Sequence, residues 1–134
     1  MPWWIKKNIE LSVSQNEPVV VEDINNQLQH LVRNALSNAI KFTPASGAID
    51  VKIFSDSHMA VFEVLDNGSG VEDTELEKLR EPFFRPEGQS SGKGAGLGLA
   101  ICHEISLKHG AEITLQNVEP TGFLFRYSQR QVVK

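Results

Sequence analysis

The chain has 134 residues, enough for one ordinary domain with one sizeable core. Its 40% hydrophobic and 22% charged composition is that of a soluble globular protein, and a net charge of −4 argues against non-specific nucleic-acid binding, which rewards a basic surface. No apolar run approaches the roughly 18 residues of a membrane span, "MPWWIKKN" lacks the apolar centre of a secretion signal, and the single Cys102 excludes an internal disulfide and fits a reducing, cytoplasmic setting.

In chain order, "IELSVS" (9–14) and "PVVVED" (18–23) read as two short strands forming a hairpin around "QNE". Residues 24–42 then carry Ile24, Leu28, Leu31, Val32, Ala35, Leu36, Ala39 and Ile40 at helical spacing. Thr43-Pro44 ends that helix, because the residue before proline is pushed out of the helical region. "AIDVKIFS" (48–55) and "MAVFEVLD" (59–66) follow as strands. Ile49, Val51 and Ile53 share one face of the first, and Ala60, Phe62 and Val64 one face of the second. A short acidic helix is expected over 72–80 and another helix over 96–109, closed by His109-Gly110. Strands at 111–117 and 123–128 finish the chain. This pattern predicts one α+β domain over 1–134, an α/β sandwich whose mixed, mostly antiparallel sheet of about five strands is covered on one face by about three helices. Cys102, on a helix, is expected to be a small core hydrophobe.

Three stretches could carry chemistry. On the long helix, Asn34, Asn38 and Lys41 fall within about 60° of one another, bordering the apolar stripe. They form either a solvated polar flank or a Mg²⁺–phosphate site. Asn can give a carbonyl oxygen to Mg²⁺, and Lys can meet a phosphate. Phe42 would offer an aromatic wall to a base. In "LDNGSG" (65–70), Asp66 continues the inward parity of Phe62 and Val64. An inward carboxylate needs a partner. Either this is a turn closing a strand, or Asp66 accepts a hydrogen bond from a purine amine while Gly68 and Gly70 let the base approach the backbone. Third, residues 87–98, "EGQSSGKGAGLG", hold five glycines in twelve positions. A Walker A loop fails, since only three residues separate Gly88 from Gly92-Lys93 and Gly94 stands at the hydroxyl position. A dinucleotide fingerprint fails because a polar, proline-broken loop precedes it in place of a strand. A lid that ends at a helix N-terminus, where bare N–H groups favour phosphate, is left.

In this order the blocks resemble the ATP-binding catalytic domain of sensor histidine kinases, part of the superfamily shared with gyrase, mismatch-repair ATPases and heat-shock chaperones. "LVRNALSNAIKFTP" resembles the N box, "DNGSG" the G1 box, "EPFFRP" the F box and "GAGLGLAI" the G2 box, and the likeness covers about residues 8–128. The resemblance implies ATP and Mg²⁺ as ligands. It makes Asn38 the metal ligand with Asn34 beside it, Lys41 a phosphate contact, Phe42 the aromatic beside adenine, and Asp66 the adenine acceptor with Gly68 and Gly70 shaping the wall. Asn38 and Lys41 are then the residues closest to the chemistry. Phe83 and Phe84 anchor an ATP lid over 81–98, Arg85 reaches the γ-phosphate, and Gly94, Gly96, Leu97 and Gly98 surround the triphosphate. Lys93 has no firm counterpart.

The implied activity is transfer of the γ-phosphate to a histidine of a separate dimerisation domain. No His-Glu-x-x-Thr-Pro motif occurs here, and His103-Glu104 lacks the Thr-Pro. His30, His58 and His109 are expected on a helix surface, in a turn and in a helix cap. A histidine-containing dimerisation domain, a response regulator and a homodimeric kinase follow as expected partners, with no nucleic acid. This domain would be the cytoplasmic part of an inner-membrane protein, with residues 1–7 a linker remnant of a longer chain. Trp3 and Trp4 would pack against the dimerisation domain or cover the sheet edge. Many members carry Thr where Phe123 follows Gly122, which puts a water-mediated adenine contact in doubt. Two other readings compete: a non-catalytic ATP-sensing module, and an ATPase of another branch. The latter usually carries a Glu on the N-box helix to activate water, and no Asp or Glu occurs between Asp23 and Asp50.

Overall fold

The computed structural model describes residues 8–81 and 98–132. Within them run β1 (Glu10–Asn16), α1 (Gln27–Phe42), β2 (Ala48–Asp56), β3 (Met59–Asp66), α2 (Gly98–Lys108), β4 (Glu112–Asn117) and β5 (Phe123–Arg130). The strands form one mixed sheet in the order β1-β2-β3-β5-β4. Only the β1–β2 pair is parallel.

Alternation along each strand gathers the apolar side chains on one face. Val51 stands opposite Val64, Ile53 opposite Phe62, Val64 opposite Phe125, and Leu115 opposite Phe125. Phe62 and Phe125 meet edge to face, ring centroids 6.2 Å apart. Against this face α1 buries Leu31, Ala35 and Ala39, four residues apart, and α2 buries Leu99, Cys102 and Ile105. The small alanines let α1 lie close to the sheet. On the opposite face of the sheet, Glu63 pairs with Arg126 on the neighbouring strand.

The two helices run antiparallel, as three contacts show. A Cβ built on Gly98 would lie 3.8 Å from Asn34 Oδ1. The Cys102 Sγ is 3.5 Å from the Leu31 carbonyl. At the far end the Ile24 N–H donates to His109 Nε2 at 2.9 Å, while His109 Nδ1 lies 2.8 Å from the Ile105 carbonyl. Burial pushes the Cys102 thiol up to about 12, so it packs as a small hydrophobe, as its place on a helix predicts.

Three expectations are corrected. Residues 18–23 are not a strand, and β1 has no hairpin partner. Pro18 brings no N–H to a ladder, β1 pairs in parallel with β2 across the α1 crossover, and two carbonyls of the run are met by the end of β5 and the residues just after it. There the Val132 N–H donates to the Val20 carbonyl at 2.8 Å, and Gln129 Nε2 to the Glu22 carbonyl at 2.9 Å. The long helix begins later than its apolar spacing suggests. Ile24–Asn26 is a 3₁₀ turn in which Asn25 and Asn26 adopt left-handed φ of 52° and 58°, which asparagine tolerates. The acidic helix is two 3₁₀ turns, Asp73–Glu75 and Glu77–Arg80, with no side-chain cap and only Leu79 buried. Too little apolar surface is covered there to sustain an α-helix.

Both helix ends match their signals. Thr43 is extended before Pro44, with its Oγ1 donating to the Ala39 carbonyl at 2.6 Å. Gly110 takes a φ of 61°, and the Ala111 N–H donates to the Ser106 carbonyl at 2.9 Å, a Schellman closure.

Candidate functional site

The C-terminus of α1 meets the end of β3, and the N-terminus of α2 lies against the middle of α1. Gly68 joins the first two: a Cβ there would lie 2.8 Å from the Phe42 carbonyl and 3.1 Å from Asp66 Oδ1. A side chain at that position would force the helix end and the carboxylate apart, so glycine sets their spacing. Gly98 joins α2 to α1 beside Asn34, as its 3.8 Å contact with Oδ1 indicates.

Asp66 is the floor. Its parity points it inward as expected, and it is only 5% exposed. Burial pushes its carboxyl up to about 6, against the smaller opposing pull of the Gly68 and Phe123 backbone amides. The Gly68 N–H donates to Oδ1 at 2.8 Å. Gly122 matters here too: at φ 148° its missing Cβ would lie 2.7 Å from the Asp66 carbonyl oxygen. The start of β5 therefore presses directly on the acid's backbone.

Along α1, Asn34 donates through Nδ2 to the His30 carbonyl at 2.8 Å, which leaves Oδ1 turned towards Gly98. Asn38 lies one turn on, half-buried on the same stripe of α1. A neutral amide oxygen so held is the donor type Mg²⁺ accepts alongside phosphate oxygens and waters, so the residues present fit that ion. Lys41 Nζ lies 5.6 Å from the Phe42 ring centroid, and both side chains are half-buried. The contacts bring Phe42, Asp66 and Gly68 together, and Asn34 to Gly98; Asn38 and Lys41 lie on α1 between Asn34 and Phe42, and Gly70 packs against Asn117 and Gly122. Phe83, Phe84, Arg85, Lys93, Gly94, Gly96 and Leu97 lie outside the described residues, as do Trp3 and Trp4.

Sequence reasoning missed several supports. Asn67 Oδ1 accepts from the Ala48 N–H at 2.9 Å, tying the loop after β3 to the start of β2. Gly47 has no room for a Cβ, which would lie 2.4 Å from Thr43 Cγ2. Asn117, at the end of β4, reaches across to Val71 and Asp73. The nearest signal for Asn117 is an asparagine closing a strand, which reads as a turn. His109, expected as a cap residue, is also a buried tie between the helices.

The family model for the histidine kinase-, DNA gyrase B- and HSP90-like ATPases matches residues 23–131. The chain belongs to this family. Within it, the likeness is to the ATP-binding catalytic domain of sensor histidine kinases. The sensor protein kinase PmrB of Pseudomonas aeruginosa is 40% identical over 111 residues, covering 83% of this chain and 23% of that protein. Among solved structures, the mycobacterial sensor histidine kinase MprB has a TM-score of 0.85 at 29% identity, over 97% of this chain and 88% of that one. Full-length ShkA in complex with AMPPNP gives 0.80 at 26% identity, over 97% of this chain and 27% of that one. The histidine kinase ThkA in complex with the response regulator protein TrrA gives 0.78 at 26%, over 96% and 36%. The ATPase-family domain spans only 14% to 25% of the curated sensors PmrB, KdpD of Clostridium acetobutylicum and CreC of Escherichia coli.

Proposed function

We propose that this domain binds Mg²⁺-ATP and presents its γ-phosphate to a histidine on a separate dimerisation domain. The observation that carries the reading is Asp66, a carboxylate held almost out of solvent at the meeting point of α1, Gly68 and the start of β5. A buried acid of this kind needs a polar partner, and the exocyclic amine of adenine supplies one. Phe42 would flank the base. Asn38 would offer its amide oxygen to the metal, with Asn34 beside it, and Lys41 would meet phosphate oxygens. Gly98 opens α2 beside Asn34, and an anion would be favoured at the N–H groups of that helix start. When bound, Mg²⁺ neutralises charge on the transferring phosphoryl group. The chain's own share is selection of the base and alignment of the phosphates.

The acceptor histidine would come from the dimerisation domain, and the phosphoryl group would pass on to a response regulator, as the ThkA–TrrA complex suggests by analogy. The whole kinase is proposed as a homodimer that holds this domain on the cytoplasmic side of a membrane. Among the described residues no helix is long and apolar enough to cross one.

The test is calorimetric titration with Mg²⁺-ATP, followed by addition of a histidine-containing dimerisation domain and radiolabelled ATP. Micromolar-range binding lost in Asp66→Ala, with acid-labile phosphate on the added domain, is the expected outcome. Binding without phosphotransfer would leave a nucleotide-sensing module, and no binding at all would end the reading.

A further inference from the structure

The loop from Asn67 to Asp73 is held on one side by Asp66, through the Gly68 N–H, and on the other by a single side chain of β4. Asn117 Oδ1 accepts the Val71 N–H at 3.0 Å, and its Nδ2 donates to the Val71 carbonyl at 2.6 Å. One primary amide thus exchanges both hydrogen bonds with one backbone residue, as a neighbouring strand would. The same Nδ2 also donates to Asp73 Oδ1 at 2.8 Å, which catches the first residue of the following 3₁₀ turn. Asn117 is half-buried, and Val71 packs against the core, so this clamp joins two fixed bodies.

The clamp explains Gly70. Its φ is 74°, and a Cβ there would lie 2.3 Å from Asn117 Oδ1 and 3.2 Å from the Gly122 carbonyl. Gly70 is therefore pressed between the amide and the start of β5, with its backbone fixed relative to Asp66. Both ends of the stretch are tied: Gly68 to the acid, Val71 to Asn117. What lies between has little freedom to shift away from a flat ligand.

We propose that Asn117 is a positioning residue for the purine base: it touches no ligand, but it fixes the Gly68–Val71 backbone as one rigid wall of the Asp66 pocket. This rests on the nucleotide reading above. The geometry gives the clamp no direct part in holding the triphosphate, since the residues proposed for that lie on α1 and at the start of α2.

The experiment compares wild type with Asn117→Ala, using Mg²⁺-ATP, adenosine and inorganic tripolyphosphate as separate probes. Loss of the clamp should weaken ATP and adenosine alike by about tenfold, about 1.4 kcal/mol, and leave tripolyphosphate within about twofold. A structural loosening alone would weaken all three. In a second arm, Gly70→Ala is made in both backgrounds. Its cost in adenosine affinity should be smaller where Asn117 is already alanine, because the clashing oxygen is gone. Should Asn117→Ala fail to fold, as judged by its melting transition, Asn117→Ser carries the same comparison. Unchanged adenosine affinity, equal loss of tripolyphosphate, or strictly additive effects of the two substitutions would overturn the proposal. If wild type itself binds neither ATP nor adenosine, the nucleotide reading falls first; if it binds both and the variants match it, only the role of Asn117 falls.

Discussion

Asp66 carries two opposed demands. Its carboxyl titrates at about 6 in the folded chain, above the ordinary aspartate value, because burial penalises the charge. A group whose folded value is raised binds more protons in the native state. Its contribution to stability is therefore greatest below about pH 4 and is lost as pH rises to 6. Adenine recognition as proposed, by an accepting carboxylate, would have the opposite need and weaken as pH falls through 6. Asp66→Asn removes the charge and keeps an oxygen for the Gly68 N–H. We expect that variant to be more stable than wild type at pH 8, by on the order of 2 kcal/mol in denaturant unfolding. It should no longer bind ATP, while wild-type affinity should fall about tenfold from pH 7 to pH 5. This residue was legible because strand parity names the side chain that points inward. Asn117 was not, since nothing in its neighbours announces a partner on a distant loop.

Between elements, the antiparallel pairing of α1 and α2 is fixed at both ends. Gly98 meets Asn34 at one end, and His109 takes the Ile24 N–H at the other. The His109 side chain is fully buried, and Asp23 Oδ1 stands 3.9 Å from its Nε2. His109→Ala would strand the Ile24 N–H and open a cavity, costing about 2–3 kcal/mol. A shift of the urea midpoint measures this; an unchanged midpoint would show that the tie is dispensable. The sequence pattern disclosed both helices and all five strands, and added a sixth that does not form. It misread 18–23, where Val19, Val20 and Val21 look like a strand but serve as a strap met by Gln129 and Val132. The acidic segment misled for the same reason, since local spacing carries no record of how much surface its neighbours leave to cover. All but the first and last residues of the lid expected over 81–98 lie outside the described residues.

For the whole molecule, the mixed sheet and its two-helix cover match the α+β sandwich expected from the order of strands and helices, although β1 joins it by a parallel crossover rather than a hairpin. What no local pattern could supply is the strand order, in which β5 slips between β3 and β4. α1 carries no Asp or Glu, so no carboxylate on it can activate a water. We expect the isolated domain to bind ATP yet release phosphate no faster than a protein-free blank. Turnover well above that blank in a coupled assay would favour a hydrolytic branch of the family instead.

The insertion of β5 has a consequence for truncated chains. The carboxylate on β3 precedes, in the chain, both the glycine pressing on its backbone and the amide bracing its loop. A fragment that stops before β4 therefore keeps the acid and loses both of its supports, however well its first half folds. Under the proposed function, nucleotide would by mass action protect from proteolysis only chains that carry β4 and β5, and leave fragments cut ahead of β4 exposed.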